Sequence, residues 1–288
     1  MTSKGYICVV QNTKETNYLR LAYALALSIK NTQSDVNKLS IVTNIKRIPK
    51  KYQKVFDQII PIENDRAKKE KWKLHNIVDL YDYTPYDETV MLDSDMLFLS
   101  DVSHWWNYLS LRKLWFTTNI RNLYNEVVPL DTIYRDEFVK NDLPSVYNAF
   151  FYFQKNEESK ELFDMMKHVC NNWDYCVSKY LFNKKPTVFS TDVAFGLSLK
   201  LLGRESDAIF KEVPFPYFTH MKIQNQGWNL PSRDFDGDWQ KCVDVSIDDF
   251  NGSLGIKIAT LRQFGIFHYY MKDFLTDRMI KILEANYE

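Results

Sequence analysis

The chain has 288 residues carrying 37 basic and 37 acidic side chains, so its net charge is zero. That length suits one large domain with a sizeable core, and the balance excludes a generally basic surface for gripping nucleic acid, though not a local basic patch. Aromatic residues are abundant, with 18 Tyr, 19 Phe and 7 Trp; most belong in a core, and a minority suit stacking on a base or a sugar.

Tyr6 to Val10 reads as a buried strand, broken by Gln11-Asn12-Thr13. Tyr18 to Lys30 is a helix with a broad apolar face, capped by Asn17 or Thr16. Strands follow at Lys38 to Thr43 and Gln58 to Ile62. This alternation of strand and helix implies a mostly parallel sheet. Asn64 to Lys73 is polar and basic, containing Arg66, Lys68, Lys69, Lys71 and Lys73, and leads into a helix over Trp72 to Tyr81.

The run Tyr86 to Leu99 is the centre of the chain. A short β-prone segment, Val90 to Leu92, delivers Asp93 and Asp95 around Ser94, and a second apolar run, Met96 to Leu99, follows at once. Carboxylates between buried segments are costly unless paired or bound to a cation. Ligands in open parallel sheets bind beyond the carboxyl ends of the strands, so Gln11-Asn12 and Asp93-Ser94-Asp95 should face one crevice.

Val102 to Leu109 reads as a short helix and Lys113 to Thr118 as a strand. Asn119 to Pro144 is loop-rich, which in a compact domain points to function. Tyr147 to Phe153 is an aromatic strand. Asn156 caps a helix reaching Cys170, and Ser190 or Thr191 caps another over Asp192 to Leu202, closed by Gly203. The remainder is strand-like up to Gly265-Ile266-Phe267-His268, and Phe274 to Ala285 is a last amphipathic helix. The cysteines, Cys8, Cys170, Cys176 and Cys242, form no C-x-x-C pair. With the polar start Met1 to Lys4 and no apolar signal segment after it, they read as reduced thiols of a cytoplasmic protein. No apolar run approaches the ~18–20 residues of a membrane span.

Several stretches follow one another in a telling order: Val9-Val10-Gln11-Asn12 with Tyr18; Lys73-Leu74-His75; Leu92-Asp93-Ser94-Asp95-Met96-Leu97; Tyr147-Asn148-Ala149; Thr191-Asp192; and His268-Tyr269 with Lys272. Together they resemble the glycogenin and bacterial lipopolysaccharide galactosyltransferase type of family-eight glycosyltransferase. The resemblance implies an α/β GT-A fold, a mostly parallel Rossmann-like sheet flanked by helices with a loop-rich acceptor-side region. Residues 1–118 would form the nucleotide-sugar half of one domain, and 119–288 the acceptor half with a C-terminal metal-ligand segment. Phe150 stands where the family carries a glycine, Thr191-Asp192-Val193 lacks its glutamine, and the motif after His268 is shortened.

Transfer of a sugar from a nucleotide requires a diphosphate to leave, and a divalent cation neutralises it without supplying a proton. By the resemblance, Asp93, Asp95 and His268 would ligate that cation, the imidazole favouring Mn²⁺, with Mg²⁺ also open. The alternative is a pair of solvated turn aspartates and a core histidine. Lys73, Lys272 and Arg66 are phosphate candidates, while Lys68, Lys69 and Lys71 read as solvated charges. Gln11, Asn12 and Tyr18 would meet the base, and Asp93 and Ser94 the donor. Asn148 and Asp192 would face the donor sugar and the acceptor hydroxyl, although an aspartate in a first helical turn also serves the dipole.

The resemblance implies a UDP-sugar donor and retention of anomeric configuration. No clear carboxylate nucleophile stands out, so a same-face dissociative substitution is expected rather than a double displacement. The acceptor side is expected from Asn119–Pro144 and Pro214–Asp249, the latter containing Phe215, Tyr217, His220, Trp228 and Trp239. A glycan acceptor is the plainer reading. Modified DNA, as for a bacteriophage-type enzyme acting on hydroxymethylated bases, is the other, and a non-catalytic nucleotide- or glycan-binding domain is a third.

Overall fold

Alternation along the first strand decides the layering. In the computed structural model, β1 (Lys4–Val10) sends Tyr6, Cys8 and Val10 into one apolar core and Ile7 into another, as side chains on a strand must alternate between faces. The structure describes residues 2–117, 119–128, 135–182, 188–208, 216–221, 243–247, 253–258 and 260–287.

After β1 come α1 (Tyr18–Thr32), β2 (Leu39–Thr43), α2 (Lys50–Gln53) and β3 (Ile59–Pro61). A 3-10 turn at His75–Asp79 runs into α3 (Leu80–Tyr83), then β4 (Glu88–Leu92), β5 (Met96–Phe98), α4 (Trp105–Leu109), β6 (Leu114–Thr117) and β7 (Asn119–Arg121). The second half holds α5 (Asp136–Lys140), β8 (Tyr147–Gln154), α6 (Glu157–Asn171), α7 (Trp173–Tyr180), α8 (Thr191–Leu201) and α9 (Glu205–Ala208). Last are β9 (Tyr217–Met221), β10 (Val243–Ile247), β11 (Leu254–Ile258), β12 (Leu261–Arg262), β13 (Ile266–Tyr269) and α10 (Asp277–Ala285).

The main sheet has the order β3-β2-β1-β4-β8-β6. The first four strands are parallel and β8 is antiparallel to both β4 and β6. α1 packs in the core on one side and α6 and α8 in the core on the other. Strand β8 shows why the sequence is so aromatic. Phe151 and Phe153 meet Phe163 and Phe195 on the α6/α8 side, while Phe150 and Tyr152 meet Trp105 and Trp106 opposite. The expected caps form: Asn17, Asn156 and Ser190 accept from the backbone N–H groups of Arg20, Ser159 and Val193, and Gly203 adopts φ +64° just past α8.

A smaller sheet, β5-β13-β9-β7, stands beside the main one. Strand β13 is antiparallel to β5 and parallel to β9, which sets His268 opposite both Met96 and His220. A three-stranded antiparallel sheet, β10-β11-β12, completes the described strands.

Three expectations change. The helix expected over Trp72 to Tyr81 begins only at His75 and starts as a 3-10 turn. The side chain of the buried Asn76 is committed to Gln11 and Asp65, and the lysines before it repel one another at helical spacing. Strand β7 and helix α7 have no local signal: β7 carries one apolar residue and exists through its register with β9, and α7 buries only Cys176 and Val177. The last α-helix begins at Asp277, capped by Thr276, rather than at Phe274.

Gly5 sits flat against Tyr86, whose hydroxyl bonds Ser40 and Asp57 at 2.7 and 3.0 Å. A Cβ at Gly5 would lie inside that ring. Gly5→Ala is therefore expected to cost about 1–3 kcal/mol by overpacking, read as a lower urea midpoint at unchanged slope; a midpoint equal to the parent's would contradict this packing.

Candidate active site

The DSD turn follows β4 directly. Asp93 donates its backbone N–H to Ala149 at 3.1 Å, which ties the turn to β8, and Asp95 accepts from the backbone N–H of Tyr269 at 3.1 Å, which ties it to the end of β13. Residues about 170 positions apart thus meet through one strand pairing. Asp93, Asp95 and His268 bring their ligand atoms within 4.8 Å of one another. His268 Nε2 lies 3.2 Å from Asp95 Oδ2 and 3.8 Å from Asp93 Oδ2. Lys272 pairs with the same Asp95 oxygen, Oδ2.

The two carboxylates differ. The Asp95 side chain is 7% exposed and that of Asp93 is 32% exposed. Desolvation pushes the Asp93 carboxyl up to about 6, against the pull of His268 and with the push of Asp95. Burial acts on Asp95 in the same sense, but the charges of His268 and Lys272 overcome it and hold Asp95 well below the usual range. Burial alone would lower Lys272; the Asp95 carboxylate reverses this and keeps the ammonium above its ordinary value. Lys272 lies 6.0 Å from the Tyr18 ring and 5.7 Å from that of Tyr270. His220 lines the same wall, its ring stacked on His268 at 4.3 Å and 2°.

These groups border a cleft of about 680 Å³, which also touches Gln11, Tyr18 and Lys73. Gln11 and the DSD turn line this cleft, while Asn12, expected beside them, is not among its lining residues. Two carboxylates and one imidazole are a donor set that a divalent cation accepts. Within the cluster, Lys272 supplies one positive charge against two carboxylates, so an arriving diphosphate would leave the site strongly negative without a cation.

Other expected residues are engaged differently. Gln11 is buried with both amide ends committed: Nε2 donates to Asp65 at 3.0 Å and Oε1 accepts from Asn76 at 2.6 Å. Asn12 accepts from the Leu19 N–H at 3.0 Å, holding the start of α1. Arg66 forms a two-pronged pair with Asp79, at 2.6 and 3.2 Å, and donates to Asn171, so its guanidinium is spent on the scaffold. Lys73 donates to the carbonyls of Ala67 and Lys68 at the cleft wall. Ser94 and Asn148 are buried. Asp192 accepts from the Asn148 backbone N–H at 2.8 Å and from Arg135 at 3.1 Å, and its charge is felt at Asp93. Of the residues expected on the acceptor side, Tyr217 and His220 lie in β9, and Phe215, Trp228 and Trp239 lie outside the described residues.

Two further residues of this region, Asp65 and Arg135, carry little or no sequence signal. Asp65 collects hydrogen bonds from Gln11, Asn44, Asn76 and the Ala67 N–H. Burial works to raise its carboxyl, but those bonds win and hold it low. A basic run masks it in the sequence, and its only signal is an acid set beside Arg66. The second is Arg135, fully buried, with no sequence signal at all.

The sequence matches no protein-family profile and no curated protein. Solved structures do match over nearly the whole chain. The galactosyltransferase LgtC, determined in complex with donor and acceptor sugar analogs, superposes with a TM-score of 0.54 at 11% identity, covering 98% of this chain and 95% of that one. Mouse xyloside xylosyltransferase 1 superposes with a TM-score of 0.51 at 10% identity, covering 92% and 97%. The glycosyltransferase GlyE of Streptococcus pneumoniae TIGR4 superposes with a TM-score of 0.50 at 12% identity, covering 99% of this chain and 63% of its own. Mixed α/β architecture, a mostly parallel central sheet and these neighbours together assign the chain the fold of GT-A glycosyltransferases.

Proposed function

We propose that this chain is a metal-dependent retaining glycosyltransferase of the family-eight type, moving a sugar from a UDP-sugar to a hydroxyl of a glycan. The observation that carries the reading is the convergence of Asp93, Asp95 and His268 at the carboxyl end of β4, beside a cleft roomy enough for a nucleotide-sugar. Those three residues would hold Mn²⁺ or Mg²⁺, which when bound neutralises the departing diphosphate without a proton.

The protein's own groups do the rest. Lys272 and Lys73 add fixed positive charge to the cleft walls. Tyr18 lines the cleft and offers its ring to stack on a base. Gln11, pinned at both ends, supplies a rigid floor. Asp192 has one carboxylate oxygen bonded to Asn148 N–H and the other to Arg135, which makes it a positioning group and a poor nucleophile. That supports same-face substitution. The bond from the anomeric carbon to phosphate oxygen breaks, the bond to the acceptor oxygen forms on the same face, and the acceptor's proton passes to the leaving diphosphate.

The test is a panel of UDP-sugars with Mn²⁺, with and without chelator, read as UDP release and as product anomer by NMR. Release with one sugar, abolished by chelator, and a retained anomer are expected. An inverted anomer or chelator-insensitive release would overturn the respective part of the reading. The described residues contain no helix long and apolar enough to cross a membrane.

A further inference from the structure

We infer that a second cavity, on the other side of Trp72 from the donor cleft, binds the sugar chain of a neutral oligosaccharide acceptor; this rests on the glycosyltransferase reading above. The cavity also measures about 680 Å³. It lies between the turn before α3 and the junction of α6 and α7. Lys71 and Trp72 line both cavities, so the two share one wall.

The lining is built for sugar. A pyranose presents apolar C–H faces that stack on aromatic rings and a rim of hydroxyls that needs donors and acceptors. Here His75 stacks on Phe189 at 4.4 Å, and Trp173 meets Phe189 edge-on at 5.0 Å. Trp72 and Tyr175 stand 49% and 56% exposed at the mouth, a costly display of aromatic surface. His75 Nδ1 and Trp173 Nε1 are both buried and find no hydrogen-bond partner among the described residues. Buried polar atoms are normally satisfied, and these two lie behind the aromatic wall; the part of the lining open to a ligand is the exposed ring surface of Trp72 and Tyr175. Burial pushes the His75 imidazole down, which keeps it able to accept as well as donate.

Charge selects the class of acceptor. The cavity wall carries Glu70 and Asp174 against Lys71. A polymer of phosphates depends on cationic contacts, so this wall disfavours DNA and suits an uncharged glycan. The shared wall then explains the order of events in space: a chain lying in this cavity crosses Trp72 to present its terminal hydroxyl to the donor side.

The test uses neutral tetrasaccharides, namely α- and β-linked glucans, a galactan and an N-acetylglucosamine oligomer, followed by quenching of tryptophan emission. Saturable binding of at least one is expected, weakened about tenfold in Tyr175→Ala. Trp173→Phe replaces the indole by a smaller ring, cutting back the aromatic wall, and is expected to weaken binding as well. Calorimetric binding of UDP with Mn²⁺ reports the donor reading separately and should match the parent in both variants, because neither residue lines the donor cleft. Equal glycan affinity in the parent and both variants, absence of any quenching up to about 10 mM, or quenching by duplex DNA alone would overturn the inference. Failure of UDP binding would strike the donor reading and leave the glycan result to stand or fall by itself.

Discussion

Asp95→Asn is expected to lower UDP release by about a thousandfold while the fold survives. The size follows from the role: a bound cation contributes several kcal/mol to charge stabilisation, and every ~1.4 kcal/mol is a factor of ten in rate. Asp95 is the better placed of the two aspartates to show it. It is the more buried, it touches His268 at 3.2 Å, and it anchors Lys272. Asparagine keeps the shape and one acceptor oxygen. Lys272 is 29% exposed and can turn its ammonium to water, so the thermal midpoint should move by no more than about 5 °C. The matching measurement is Mn²⁺ affinity, which should fall in parallel with turnover. Chelator-sensitive release at the parental rate in Asp95→Asn would mean that the cation sits elsewhere.

Local features of this chain were legible in its sequence, and long-range ones were not. The alternation of Tyr6 to Val10, the cap at Asn17 and the DSD turn each depend on a few neighbouring residues, and each stands where the sequence puts it. His268 was legible only through a family resemblance, because what delivers it to Asp95 is the pairing of β13 with β5 across about 170 residues. Periodicity does not carry that information. Gln11 shows the converse. Its place at the end of β1 was correct, but its amide belongs to Asp65 and Asn76, partners that strand order brings within reach and that no spacing rule flags. Arg66 looks from the sequence like a phosphate candidate, and Asp79, thirteen residues on, holds its guanidinium. In each case the residue type announces a polar task, and the packing decides who receives it.

Arg135 is the sharpest instance, and its removal should be the most destabilising single change among these sites. The guanidinium is 1% exposed and lies between the rings of Phe138 and Tyr147, 3.7 and 3.8 Å from their centres. It donates to Ser145 Oγ, to the Val146 carbonyl at 2.6 Å and to Asp192 at 3.1 Å. Arg135→Ala opens a cavity between two rings and strands the Asp192 carboxylate, which is 16% exposed, with one backbone N–H as its remaining hydrogen-bond partner among the described residues. Breaking a buried pair from one side costs about 3–5 kcal/mol, and urea unfolding should show a loss of that order. Asp192→Asn should cost less, because Arg135 keeps Ser145, Val146 and both rings. The double variant Arg135→Ala with Asp192→Asn should lose less than the sum of the two singles, since neither charge is then stranded. Additivity to within about 0.5 kcal/mol would show the two groups to be uncoupled. Turnover carries a second signature. Arg135 touches no donor residue directly; it acts through Asp192 and the Asn148 N–H, beside the Ala149 carbonyl that accepts from Asp93. Arg135→Lys, which retains the charge and loses the fork, should therefore depress the rate of sugar transfer more than the affinity for UDP, as expected of a group that aims the reacting end of the cleft rather than the end that holds the base.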